Sequence, residues 1–131
     1  MTRLEDFFSS FAAELGIVPE AQGSQISGKL NDLRVMYIKA EHHTEIFSIC
    51  NNDVEVRLVQ YSGKDEMSLC IGLPSLNYSC YLEKLGNDPL SRYLKEQFSN
   101  RDKPAENSKF LEYADIKDTA PAKELIYKLL L

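Results

Sequence analysis

The stretch that decides the fold is a pair of runs, Val54-Glu55-Val56-Arg57-Leu58-Val59-Gln60-Tyr61 and Glu66-Met67-Ser68-Leu69-Cys70-Ile71-Gly72-Leu73, joined by Ser62-Gly63-Lys64-Asp65. In the first run Val54, Val56 and Leu58 alternate with Glu55 and Arg57. In the second, Met67, Leu69, Ile71 and Leu73 alternate with Ser68, Cys70 and Gly72. Alternation with a period of two marks strands that bury one face and leave the other wetter. The linker is too short for a crossover helix, so the two strands form an antiparallel hairpin.

Upstream, the same pattern continues between turn residues. Asn51-Asn52-Asp53 precedes the hairpin, Thr44 to Cys50 reads as a strand, and Glu41-His42-His43 makes the turn before it. Leu33 to Ala40 is a strand with both faces partly apolar, Asn31-Asp32 a tight turn, and Gly23 to Leu30 a weaker strand because Gly28 interrupts it. Pro74 ends the sheet. A meander of four to five antiparallel strands is expected.

Helices flank this sheet. Thr2 to Leu15 opens with a Thr2/Glu5 capping box and carries Leu4, Phe7, Phe8, Phe11, Ala12 and Leu15 at helical spacing. Gly16 is its expected C-cap, and Pro19 blocks continuation. After Asn77 the period changes to about 3.6. A short helix carries Tyr81, Leu82 and Leu85, and Asp88-Pro89 opens another with Leu90, Tyr93, Leu94 and Phe98 on one stripe. Asn100 to Asn107, with Pro104, reads as a loop, and Phe110, Leu111, Tyr113 and Ala114 suggest a short helical turn. A last helix begins near Pro121 with Leu125, Ile126, Leu129 and Leu130. The expected fold is therefore α+β, one domain over residues 1–131: an N-terminal helix, the meander, then two to four C-terminal helices packed on it.

Bulk properties narrow the function. The chain has 131 residues, enough for a core without staples, with 44% hydrophobic and 27% charged residues. A net charge of −5 argues against nucleic acid or an anionic membrane as partner, since both call for a basic footprint. Cys50, Cys70 and Cys80 are odd in number and lack Cys-x-x-Cys spacing, so reduced and mostly buried thiols are expected. The opening Met-Thr-Arg-Leu-Glu-Asp places acids where a secretion leader needs a basic and then apolar run. The expected compartment is the cytoplasm.

The templates of catalysis do not fit. There is no Gly-x-Ser-x-Gly elbow, and Gly63-Lys64 is a hairpin turn rather than a phosphate cradle. His42 and His43 are adjacent and point apart if extended, a poor start for a metal site. No cysteine opens a helix where its thiol would be activated. The expectation is a non-catalytic protein with no catalytic residues, metal or cofactor, and with another protein as its partner.

The run from Leu4 through Phe8, Phe11, Leu15, Gly16 and Ile17 to Pro19 resembles the first helix of the class I type III secretion chaperones, whose opening looks like Leu-x-x-Phe-x-x-x-Leu-Gly-Leu/Ile-Pro. The length, the acidic balance and the strands up to Cys50 also fall where that family has them. The resemblance implies a small chaperone, a possible homodimer, that holds an extended segment of a secreted effector by strand addition and apolar grooves. Its expected contact residues here are Phe7, Phe11, Val35 and Tyr37. The alternative is an immunity or inhibitor protein that masks a toxin or enzyme domain. It would gather Glu41, Glu45, Asp53 and Glu55 into one acidic face that steers onto a basic target. An enzyme or ligand carrier would instead bring Tyr37, Tyr61, His42 or His43 together in a cleft between sheet and helices.

Overall fold

The computed structural model describes residues 2–74, 76–100 and 109–131. It is an α+β structure in which seven antiparallel strands pair in chain order, β1-β2-β3-β4-β5-β6-β7. The five expected strands are present as β2 (Gln25–Leu30), β3 (Leu33–Lys39), β4 (Glu45–Cys50), β5 (Glu55–Gln60) and β6 (Met67–Pro74). Two more extend the sheet: β1 (Glu20–Gln22) at one edge and β7 (Lys109–Ile116) at the other. The expectation of four to five strands is thus corrected to seven, and the helical turn expected at Phe110–Ala114 is a strand. The predicted loop Asn100–Asn107 falls, after Asn100, outside the described residues.

The misreading of β7 has a physical source. Phe110, Leu111, Tyr113, Ala114 and Ile116 fall at i, i+1, i+3, i+4 and i+6, a spacing that imitates one face of a helix. As a strand, the same residues divide between two faces. Phe110, Ala114 and Ile116 point to the core with Glu112 between them, and Leu111 and Tyr113 point away.

Helix α1 (Arg3–Leu15) starts as its sequence dictates, with Thr2 Oγ1 accepting from the Glu5 N–H at 3.2 Å. It ends on Gly16 at φ 75°, where Ile17 N–H bonds back to the Ala12 carbonyl at 2.9 Å. This is the left-handed C-terminal cap that glycine makes without strain. Leu4, Phe8, Phe11 and Ala12 face inward, with Phe8 against Tyr37 and Phe47. Chain leaving the helix crosses β2 at Gly28. A Cβ there would stand 2.4 Å from Ile17 Cγ2, so the glycine that weakens the strand pattern is what lets the crossing close.

Three further helices pack on the same side. They are α2 (Tyr78–Leu82), α3 (Pro89–Ser99) and α4 (Ala120–Leu130). Asp88 caps α3 as expected, accepting from Ser91 N–H at 3.1 Å. Asn77 precedes α2 in the left-handed region and makes no side-chain cap bond. Tyr78 and Phe98 meet Phe110 of β7, while Tyr127 of α4 meets Phe11 of α1. Leu125, Ile126 and Leu129 of α4 join the buried cluster with Phe47, Ile49, Leu58 and Leu69. The helices therefore cover one face of the sheet, and among the described residues none covers the other.

Candidate functional site

Strand register fixes what the uncovered face presents. One cross-strand row runs Lys29, Arg34, Cys50, Glu55, Gly72, Leu111. The next runs Ser27, Met36, Ser48, Arg57, Cys70, Tyr113, and a third Ile38, Ile46, Val59, Ser68, Asp115. These are the wetter positions of the period-two pattern, and they are polar at one end of the face and aliphatic at the other. A depression of about 680 Å³ opens over the polar end, with Ser48 and Cys50 between Lys29 and Arg34 on one side and Glu55 and Arg57 on the other. Glu55 is bonded to Arg57 at 3.2 Å. Val18, 85% exposed, and Met36 supply apolar surface at its rim.

The second feature is the outer edge of the sheet. β7 is eight residues long, pairs with β6 over its whole length, and among the described residues has no further strand beside it. An edge strand presents N–H and C=O groups that a further strand can pair with. Next to it lies a groove of about 530 Å³ lined by Leu90 and Tyr93 of α3, by Tyr113 to Asp118, and by Pro121. Leu111, Tyr113 and Tyr93 are 38%, 53% and 45% exposed, an apolar set clustered at this edge. The opposite edge, β1, has only three residues, all exposed.

The residues expected from sequence to touch a partner are placed differently. Phe11, Val35 and Tyr37 are buried, and Phe7 is half-buried against Phe11 and Phe47 at ring separations of 5.5 and 5.0 Å. Their apolar spacing is the spacing of the core, so these residues hold α1 on the sheet, and of the four only Phe7 keeps part of its surface exposed. Glu45 is also buried. Its Oε1 accepts from the Tyr37 hydroxyl and from Thr2 Oγ1, tying the first turn of α1 to β4. Burial first, and then this bond to Glu45, push the Tyr37 hydroxyl well above the usual tyrosine range.

The remaining acids do not assemble. Glu41 is exposed on the short 3₁₀ turn between β3 and β4, and Asp53 is exposed at the other end of β4. Asp53 stands beside Tyr81, whose hydroxyl is raised by burial and by that carboxylate. Glu55 lies on the uncovered face, engaged with Arg57. The four acids thus occupy separate places, and the expected single acidic face does not form. His42 and His43 are exposed on the 3₁₀ turn and Tyr61 is exposed, while Tyr37 is sealed under α1.

The thiols divide as well. Cys70 is buried, Cys50 half-buried and Cys80 exposed, so the expectation of mostly buried thiols is corrected at Cys80. Burial raises the Cys70 thiol, with a hydrogen bond to Tyr113 acting in the opposite sense. Among the described residues there is no group of three or more His, Cys, Asp or Glu placed to hold a metal ion. Nor is any helix there long and apolar enough to cross a membrane.

In the sequence, Leu90 and Tyr93 stand out only as a helical stripe and Leu111 and Tyr113 only as a helical turn, while Lys29 and Arg34 carry no signal at all. Arg57 was legible as an outward residue of an alternating strand, but its neighbours depend on register, which no local pattern states. Among the described residues, these features make a seven-stranded meander with helices on one side, a face on the other that no helix covers, and β7 as its long outer strand. No family model matches the chain, and no curated protein or solved structure is significantly similar to it.

Proposed function

We propose that this is a non-catalytic protein-binding protein that takes an extended segment of another protein as an eighth strand along β7. The observation that carries the reading is the eight-residue outer strand beside a groove where Leu90, Tyr93, Tyr113 and Pro121 stand next to Asp115, Lys117 and Asp118. An edge of this kind selects its occupant by shape. Main-chain groups repeat along it at the strand spacing, so a second strand can bond to them while its alternate side chains enter the groove. A helix would leave the edge groups unpaired.

The resemblance of Leu4–Pro19 to secretion chaperones gives the occupant a class, the N-terminal stretch of a larger secreted polypeptide. The reading does not depend on it, because β4 runs directly into β5 where that family usually places a helix. The immunity alternative has less support, since the acidic face it calls for is not made by Glu41, Glu45, Asp53 and Glu55, which lie apart.

The test is selection of a displayed library of short random peptides against the folded chain, followed by hydrogen exchange of the complex. Slowed exchange at the amides of β7, together with weakened binding in Tyr93→Ala, is the expected result. Binders that protect a different surface, or a library that yields no binder, would overturn the proposal.

A further inference from the structure

A depression at the β2–β5 end of the uncovered face shares no lining residue with the groove at the β7 edge. Lys29 and Arg34 are direct cross-strand partners on the uncovered face. Like charges placed opposite each other on a sheet repel and destabilise the pair. The chain has 20 acidic residues against 15 basic ones, yet among the described residues neither cation has a carboxylate within ion-pair distance. Arg57 faces the same depression from β5, with its charge partly answered by Glu55 at 3.2 Å. The depression also holds Glu20, so three cations stand against two carboxylates, a local excess of positive charge within a molecule of net charge −5.

The hydroxyls of Ser27 and Ser48 add neutral donors to the same cavity, and its volume of about 680 Å³ is in the range of small-molecule sites. Guanidinium groups bind planar or tetrahedral oxyanions through paired N–H bonds, and they do so more strongly where water is partly excluded. Met36 and Val18 can cover an apolar body attached to such a head group.

We propose that the depression over β2–β5 binds a small organic anion, whose carboxylate or phosphate group is held by Lys29, Arg34 and Arg57. The anion relieves the repulsion between Lys29 and Arg34 that the bare fold retains. Glu20, facing the same space, limits affinity and favours an anion that keeps its distance from β1.

Amide-resolved NMR titration at low ionic strength tests this, with inorganic phosphate in one arm and succinate in the other. Low salt is required because exposed charges are screened within a Debye length of about 10 Å at 0.1 M. Saturable shifts at Lys29, Arg34, Ser48 and Arg57 are expected, with the stronger arm naming the head group. Arg34→Gln should weaken binding about tenfold, the size of a lost charge-assisted contact. Glu20→Gln, which removes a repelling carboxylate and no donor, should tighten it. The opposite signs of the two variants separate a binding effect from general loss of structure. Non-saturating shifts spread over the surface, or an Arg34→Gln variant that responds as the parent does, would overturn the proposal. The β7 reading would be untouched, because its readout is protection of different amides.

Discussion

Replacing Tyr37 by Phe removes one hydroxyl and keeps the ring against Phe8, so the change isolates the bond to Glu45. Glu45 is buried, and after the change its Oε1 would keep only Thr2 as a donor. A hydrogen bond to a charged acceptor contributes about 1.5–3 kcal/mol. A loss of ~2 kcal/mol corresponds to a fall of roughly 7 °C in Tm for a chain of this length. Urea unfolding followed by circular dichroism, run beside a Thr2→Ala variant and the double variant, measures the loss and the coupling between the two donors. The pH dependence supplies a second check. Tyr37 holds its proton above the usual tyrosine range when folded and releases it near pH ~10 when unfolded. Above that pH the unfolded state binds fewer protons than the folded one, so the parent loses stability as pH rises. The Phe variant lacks this term, and the gap between the two proteins should narrow above pH ~10. A variant within about 0.5 kcal/mol of the parent at neutral pH would refute the account, since that is the scatter of surface substitutions away from such features.

Gly28→Ala places a methyl 2.4 Å from Ile17 Cγ2, with the Val18 carbonyl and Pro19 Cα each 3.5 Å away, and should cost about 1–3 kcal/mol by overpacking. Adding Ile17→Ala would lift the clash, so the double variant should fall short of the sum of the two single losses measured by urea titration. Asp88→Ala removes the oxygen that caps α3 and should lower stability by ~1 kcal/mol in the same assay, whereas Asp88→Asn should retain most of it. Iodoacetamide labelling at neutral pH, mapped by peptide mass spectrometry, should modify Cys80 first and Cys70 last, because burial both shields the Cys70 thiol and disfavours its thiolate. Equal rates at Cys70 and Cys80 would show that the β6–β7 part of the uncovered face is open to solvent.

The sequence made β2 to β6 legible for a simple reason. In β5 and β6 the alternation of Val54, Val56 and Leu58 or of Met67, Leu69 and Ile71 states the inward face directly, and the earlier strands are marked off by turns, with Asn31 and Gly63 adopting positive φ between strands. β1 carries no such signal because its three residues are all exposed. β7 hides its nature because both of its faces carry apolar residues and an inward position holds Glu112. The expected contact residues lie in or against the core for a related reason. Phe11, Val35 and Tyr37 stand out by hydrophobic periodicity, and that periodicity is produced by burial. Lys29, Arg34 and Arg57 lie on three strands and meet only through register, so no window of sequence holds them together.

The two proposed surfaces would recognise their ligands by different physics, and this decides how they can be separated in the laboratory. β7 would read backbone, so its affinity should tolerate many side-chain sequences in the added strand and resist salt. The depression over β2–β5 would read charge through long side chains on an exposed face, so its affinity should fall steeply as ionic strength rises. Salt titration of peptide binding and of phosphate or succinate binding on one preparation tests that contrast. A peptide affinity that collapses with salt alongside the anion affinity would place both ligands on the cationic face, and would remove the edge of the sheet as the site of protein recognition.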